Sequence, residues 1–142
     1  MARVGLNEQE AKERGIPHEV TVYGIDDLDR AIADGEAHGF VKVLTVPGKD
    51  KILGATLVGE YAGDLLAEYV MAMRHGLGLN KILSTIHIYP TLAEANKYAA
   101  GMWKKAHSPA NLLAWVERFH AWRRGSAQRP AATVGDEADA KS

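Results

Sequence analysis

The chain has 142 residues, enough for one domain to bury its own core without metal or disulfide staples. A formal net charge of −1 with interspersed signs gives no broad basic field, so nucleic acid is not an expected partner. The lack of cysteine excludes a disulfide, a thiolate nucleophile or a thiolate metal site within this chain; no apolar run reaches a membrane span and no secretory pattern opens it, so a cytoplasmic protein without a transmembrane segment is expected.

Along the chain, Asn7 stands three residues before Glu10 and predicts a capped helix over EQEAKERG, closed by Gly15. HEVTVYGI alternates like a strand, with Val20 and Val22 on one side and Thr21 and Tyr23 on the other. DDLDRAIADGEAHG is polar and turn-rich, with room for one short helix. FVKVLTV and KILGATLV, joined through Pro47, Gly48, Lys49 and Asp50, read as a β-hairpin.

From Ala62 the composition turns helical, with Arg74 and His75 in a basic last turn before Gly76. Leu65, Leu66, Tyr69, Val70, Met71 and Met73 cover most of this helix's circumference, so it needs cover on two sides. NKILST is a short helical piece. Pro90 precedes a helix over Thr91 to about Ala106, whose apolar face is Leu92, Ala95, Ala99, Met102 and Trp103, with Glu94, Lys97 and Lys104 away from its centre. Pro109 opens a further amphipathic helix, and the residues from Gly125 on carry almost no large apolar side chains. The organisation expected is a domain over 1–106, an additional amphipathic helix over 107–125, and a disordered tail over 126–142. Strands followed by helices make the fold class α+β, an antiparallel sheet packed by helices.

STIHIYPTLAEANKYAAG, residues 84 to 101, is the stretch with chemistry in it. Thr91 followed three residues later by Glu94 fits a reciprocal capping box, which stabilises a helix start by about 1 kcal/mol and needs no catalysis. The alternative is a reaction centre built from His87, Tyr89 and Glu94. The histidines lack the spacing of a helical zinc motif, so no metal is expected, and GEYAGD lacks the glycine spacing of a dinucleotide loop. Aromatics opposite arginines in the last helix suit packing on protein better than a membrane surface.

Taken in order, RVGLNEQEAKERGI, GEAHGFVKVLT, KILGATLVGEYAGDLLAEYVMAMRHGL and STIHIYPTLAEA resemble the C-terminal dimerisation domain of the flavin-dependent pyridine nucleotide-disulfide oxidoreductases, a family that includes dihydrolipoamide dehydrogenase, glutathione reductase and mercuric reductase. The resemblance implies a homodimer through the helix from Ala62 and the helix after Pro90, with Leu65, Leu66, Tyr69, Val70 and Met73 at the interface. It also implies that FAD and NAD(P)H serve domains of the parent enzyme that are missing here, that this chain alone binds no cofactor, and that it does not turn over by itself.

The family pattern at the start of the last-named helix is His-x-His-Pro-Thr-x-x-Glu, where residues 87 to 94 read His-Ile-Tyr-Pro-Thr-Leu-Ala-Glu. The resemblance makes Glu94 the carboxylate that supports a proton-exchanging histidine, with Tyr89 in that histidine's place. A phenol of pKa about 10 cannot share a proton with a thiol near neutrality as an imidazole of about 6.5 can. The departure puts lipoamide-type or glutathione-type reduction in doubt and points toward the mercuric-reductase-like branch, yet the cysteine pair that carries mercuric ion there is absent. His87, two residues away and on the same side of an extended segment, is the candidate substitute. By the same resemblance Tyr89-Pro90 is cis, and the backbone at Pro90 and Thr91 touches the partner's flavin. The competing reading is a stand-alone homodimeric binding or scaffold module that kept the fold without catalysis.

Overall fold

The computed structural model describes residues 1–108. Apart from His107 and Ser108, the segments expected over 107–125 and 126–142 lie outside the described residues. β1 (Ala2–Gly5), β2 (Glu19–Gly24), β3 (Phe40–Thr45) and β4 (Ile52–Val58) form one four-stranded sheet in the order β1-β4-β3-β2, every pair antiparallel. The helices are α1 (Glu8–Glu13), α2 (Asp29–Asp34), α3 (Ala62–Arg74), α4 (Leu79–Ser84) and α5 (Glu94–Ala106). This is the α+β architecture expected from strands preceding helices.

Strand alternation sorts the two faces of the sheet. Tyr23, Val41 and Leu57 lie side by side across the strands, as do Thr21, Val43 and Ala55, and these rows form the floor of the core. The other face is mostly polar: Lys42 reaches Glu8 of α1 at 2.6 Å and Arg3 reaches Glu10 at 2.9 Å. Val20 and Val22 point to this open side, at 40% and 43% exposure, so in β2 the threonine and tyrosine are the inward pair. Gly54 is obligatory in β4, because a Cβ there would run into the backbone of Leu6 where the chain leaves β1.

α1 starts as the spacing predicts. The Asn7 side chain accepts from the Glu10 amide at 2.8 Å, and the Glu10 carboxylate accepts from the Asn7 amide at 3.2 Å. α3 and α5 lie on the inner face of the sheet. α5 packs closely because its inward positions are small: Ala95, Ala99 and Ala100 are buried, with Trp103 completing the row. Leu92 is only partly buried and Met102 is 47% exposed, so the apolar face is rotated from the one expected, and Glu94 and Asn96 turn inward instead.

α3 requires a further correction. Tyr69, expected at a subunit interface, is 0% exposed within the single chain, where it fills the core beneath the sheet. Leu65, Leu66 and Met73 are partly buried against the same core, whereas Val70 and Met71 remain 46% and 56% exposed. The helix therefore does present apolar surface on two sides, but the chain itself covers one of them.

The hairpin turn is tied to α4. Asp50 accepts from the Leu79 amide through its carbonyl at 2.9 Å, and its carboxylate accepts from the Asn80 backbone and side-chain nitrogens at 3.2 and 2.9 Å. The first turn of α4, which has no side-chain cap of its own, is satisfied from the sheet.

Candidate functional site

The site is the lead-in segment from Thr85 to Thr91, between α4 and α5. α4 stops at Thr85, whose hydroxyl donates to the Lys81 carbonyl at 2.8 Å. The chain then runs extended, with Ile86 and Ile88 pointing outward at 86% and 70% exposure. The Tyr89-Pro90 peptide is cis, as the resemblance implies.

At the start of α5 only half of the expected capping box is made. The Glu94 carboxylate accepts from the Thr91 amide at 3.2 Å, but the Thr91 hydroxyl donates to the Ile88 carbonyl at 2.6 Å instead of capping the helix. Regular helix therefore begins at Glu94 rather than at Thr91. The threonine braces the cis turn while the glutamate caps.

Tyr89 and His87 do not share a side, contrary to the extended-strand argument. The Tyr89 ring is 65% exposed and its hydroxyl donates to Asp29, at the start of α2, at 2.8 Å. That hydrogen bond and the carboxylate charge behind it push the phenol above its ordinary pKa, so it stays a protonated donor through the physiological range. His87 turns inward, its side chain 5% exposed, with Nε2 at 2.9 Å from Glu68 of α3 and Nδ1 at 3.0 Å from the Thr85 carbonyl. Both ring nitrogens thus face oxygens of the same chain. The glutamate's second oxygen accepts from Asn96 of α5 at 2.8 Å.

Glu94 is 7% exposed, and beyond the Thr91 amide its polar neighbour is the Tyr98 hydroxyl at 3.5 Å. Burial first, then the Glu94 carboxylate, raises the Tyr98 phenol. Tyr23 donates to Asp27 at 2.6 Å, and its phenol is raised by burial and by that carboxylate. Tyr23, Tyr89 and Tyr98 thus line one open groove of about 760 Å³, each with its hydroxyl against a carboxylate. Carboxylates in place of backbone N–H donors make this groove a poor match for the pyrophosphate of FAD or NAD(P). Beside this groove, Tyr89 and Pro90 form an exposed edge. Among the described residues there is also no group of three side chains able to hold a metal ion, and no helix long and apolar enough to cross a membrane.

Of the residues singled out from sequence, the structure brings Tyr89, Pro90, Thr91 and Glu94 to one turn and places His87 beneath it. Sequence reasoning missed Asp29, Glu68 and Asn96. Only Asn96 carried a local signal, as a poor helix former within an apolar helical run. The other two meet the segment across long stretches of chain.

Comparison with known proteins agrees with this fold. Residues 1–100 match the family described as the pyridine nucleotide-disulphide oxidoreductase dimerisation domain. A dihydrolipoamide dehydrogenase of Chaetomium thermophilum is 40% identical over 100 residues, covering 70% of this chain and 20% of that protein. A dihydrolipoyl dehydrogenase of Mycoplasma pneumoniae is 39% identical over 106 residues, covering 75% of this chain and 22% of that protein. Among solved structures, the HOCl-induced flavoprotein disulfide reductase RclA of Escherichia coli superposes with a TM-score of 0.66 at 23% identity, over 70% of this chain and 23% of that one. LpdA of Mycobacterium tuberculosis does so at 0.63 and 23%, over 69% and 21%; these two likenesses concern the fold. The chain spans about a fifth of the length of the curated relatives it matches. With the family model matched over residues 1–100, the chain belongs to the dimerisation-domain family of the pyridine nucleotide-disulphide oxidoreductases.

Proposed function

We propose that residues 1–106 form a homodimer and that the lead-in segment of each subunit completes the active site of the other, in a cytoplasmic oxidoreductase that uses FAD and NAD(P)H bound by other domains. The observation that carries this reading is the exposed apolar surface of Ile86, Ile88 and Tyr89, with Val70 and Met71 on α3. A protein surface seldom keeps that much apolar area in water without a partner.

Within such an assembly, Pro90 and Thr91 supply the backbone edge facing the flavin, and Leu65, Leu66 and Met73 lie behind Val70. The flavin would supply the electron transfer; the residues here would supply shape and one hydrogen-bond donor, the Tyr89 phenol. A second reading, a scaffold module without catalysis, draws support from Tyr89 itself, which is tied to Asp29 and not to Glu94. Sedimentation velocity, followed by co-purification with polypeptides carrying FAD and NAD(P) domains, tests the proposal. A dimer that recruits such a polypeptide and gains NAD(P)H oxidation supports it. A dimer inert in every such mixture supports the scaffold, and a monomer at micromolar concentration overturns both.

A further inference from the structure

Asn96 is 1% exposed in the interior of α5, a position where an apolar side chain would ordinarily stand. Its amide nitrogen donates twice, to the Leu65 carbonyl at 3.0 Å and to the Glu68 carboxylate at 2.8 Å, which fixes the orientation of the amide. Its oxygen is buried without a hydrogen-bond partner. A buried acceptor left unmade costs stability, and leucine in its place would avoid that cost. The compensation lies on the donor side. Glu68 receives Asn96 on one oxygen and the His87 ring, at 2.9 Å, on the other. His87 in turn reaches back to the Thr85 carbonyl at 3.0 Å.

We infer that Asn96 is a positioning residue for the lead-in segment: through Glu68 it holds the His87 ring in place, and with it the backbone that presents Tyr89. The chain of contacts spans α5, α3 and the segment, so it fixes the segment against both helices at once. Glu68 needs the assistance because a carboxylate on a flexible side chain holds an imidazole in one orientation only if its other oxygen is also bound. His87 on this account is a rivet and not the substitute acid–base group. The inference deepens the proposed role of the lead-in segment and rests on that reading for its functional meaning.

The test is NMR on the intact chain, following the His87 Nε2 proton and the Tyr89 ring resonances. Asn96→Leu should accelerate solvent exchange of that proton roughly tenfold, the scale of a lost hydrogen bond to a charged group. It should also move the Tyr89 ring signals. Glu68→Gln should do at least as much, and the double variant should add nothing to Glu68→Gln, since Asn96 acts through Glu68. An unmoved His87 proton in a folded Asn96→Leu, additive effects, or a His87 response without one at Tyr89 would each overturn the assignment. If Asn96→Leu does not fold, Asn96→Asp combined with Glu68→Gln restores a donor–acceptor pair with the roles exchanged. That pair should recover most of the wild-type His87 signal lost in Asn96→Asp alone, and a lack of recovery counts against the inference. The measurement needs neither a dimer nor a cofactor, so its outcome is separate from that of the dimerisation experiment.

Discussion

Tyr89 donates its hydroxyl to Asp29 at 2.8 Å, across 60 residues of sequence, and so hydrogen-bonds to Asp29 although Glu94 lines the same groove. In the family pattern, a histidine at this position would be supported by that glutamate. Here the supporting carboxylate and the side chain it would support have gone to different partners. Asp29→Asn should therefore lower the Tyr89 phenol toward its ordinary value of about 10. A spectrophotometric tyrosine titration compared with Tyr89→Phe would identify the group; a titration unchanged by Asp29→Asn would contradict the assignment. By linkage, a phenol raised in the folded state contributes stability that is complete below the unfolded value, and that declines as pH rises from there through the folded one.

Restoring the histidine gives the complementary prediction. Tyr89→His, in an assembly with the flavin-bearing domains, should raise dithiol–disulfide exchange, by up to roughly 10²-fold if a positioned general base is the missing element. Exchange kinetics at neutral pH would measure it. No gain would place the obstacle in the geometry around Glu94, already occupied by the Thr91 amide and Tyr98.

α3 separates exposed from buried within adjacent residues: Val70 is open to solvent and Tyr69 lies in the core. Val70→Asp should leave the subunit folded and convert a dimer to monomers, because the charge would be buried only in the assembly. Tyr69→Ala should lower stability by about 3–5 kcal/mol, the usual range for an aromatic removed from a packed core, whatever the oligomeric state. Sedimentation velocity and urea unfolding distinguish the two effects, and a Val70→Asp dimer would remove α3 from the interface.

His107 caps the last turn of α5 with Nδ1 at 2.8 Å from the Trp103 carbonyl, Nε2 at 2.8 Å from Glu19 at the start of β2, and its ring stacked on Trp103. The bond to the Trp103 carbonyl, followed by that to Glu19, raises the imidazole above its ordinary value. Because the folded value is raised, the stabilisation is fully present below about pH 6.5 and is lost as pH rises through the folded value. Glu19→Gln should therefore lower the melting temperature more at pH 6 than at pH 9. An equal drop at both would assign the loss to the other Glu19 contact, the Gly48 amide at 3.1 Å.

What was legible from the sequence had a local cause. The Asn7–Glu10 cap, the hairpin around Gly48 and the helix ending near Gly76 each depend on residues a few positions apart, and each stands where the spacing put it. What was not legible involved partners distant in sequence or a helix rotated about its axis. Periodicity marked Tyr69 and Val70 alike as apolar, but only the packed fold determines which one the chain covers. The Thr91 hydroxyl had a second acceptor, the Ile88 carbonyl, that a linear spacing rule does not represent. The inward turn of His87 likewise depends on Glu68, a residue of another helix.

The Asp50 clasp between the hairpin turn and α4 makes the length of that turn a mechanical setting for distant residues. Insertions into a hairpin tip are normally absorbed where they are made. Here a longer tip would carry the first turn of α4 with it and displace everything threaded behind it, Tyr89 included. Grafting a foreign peptide at Lys49 should for that reason disturb the lead-in segment as well as the turn.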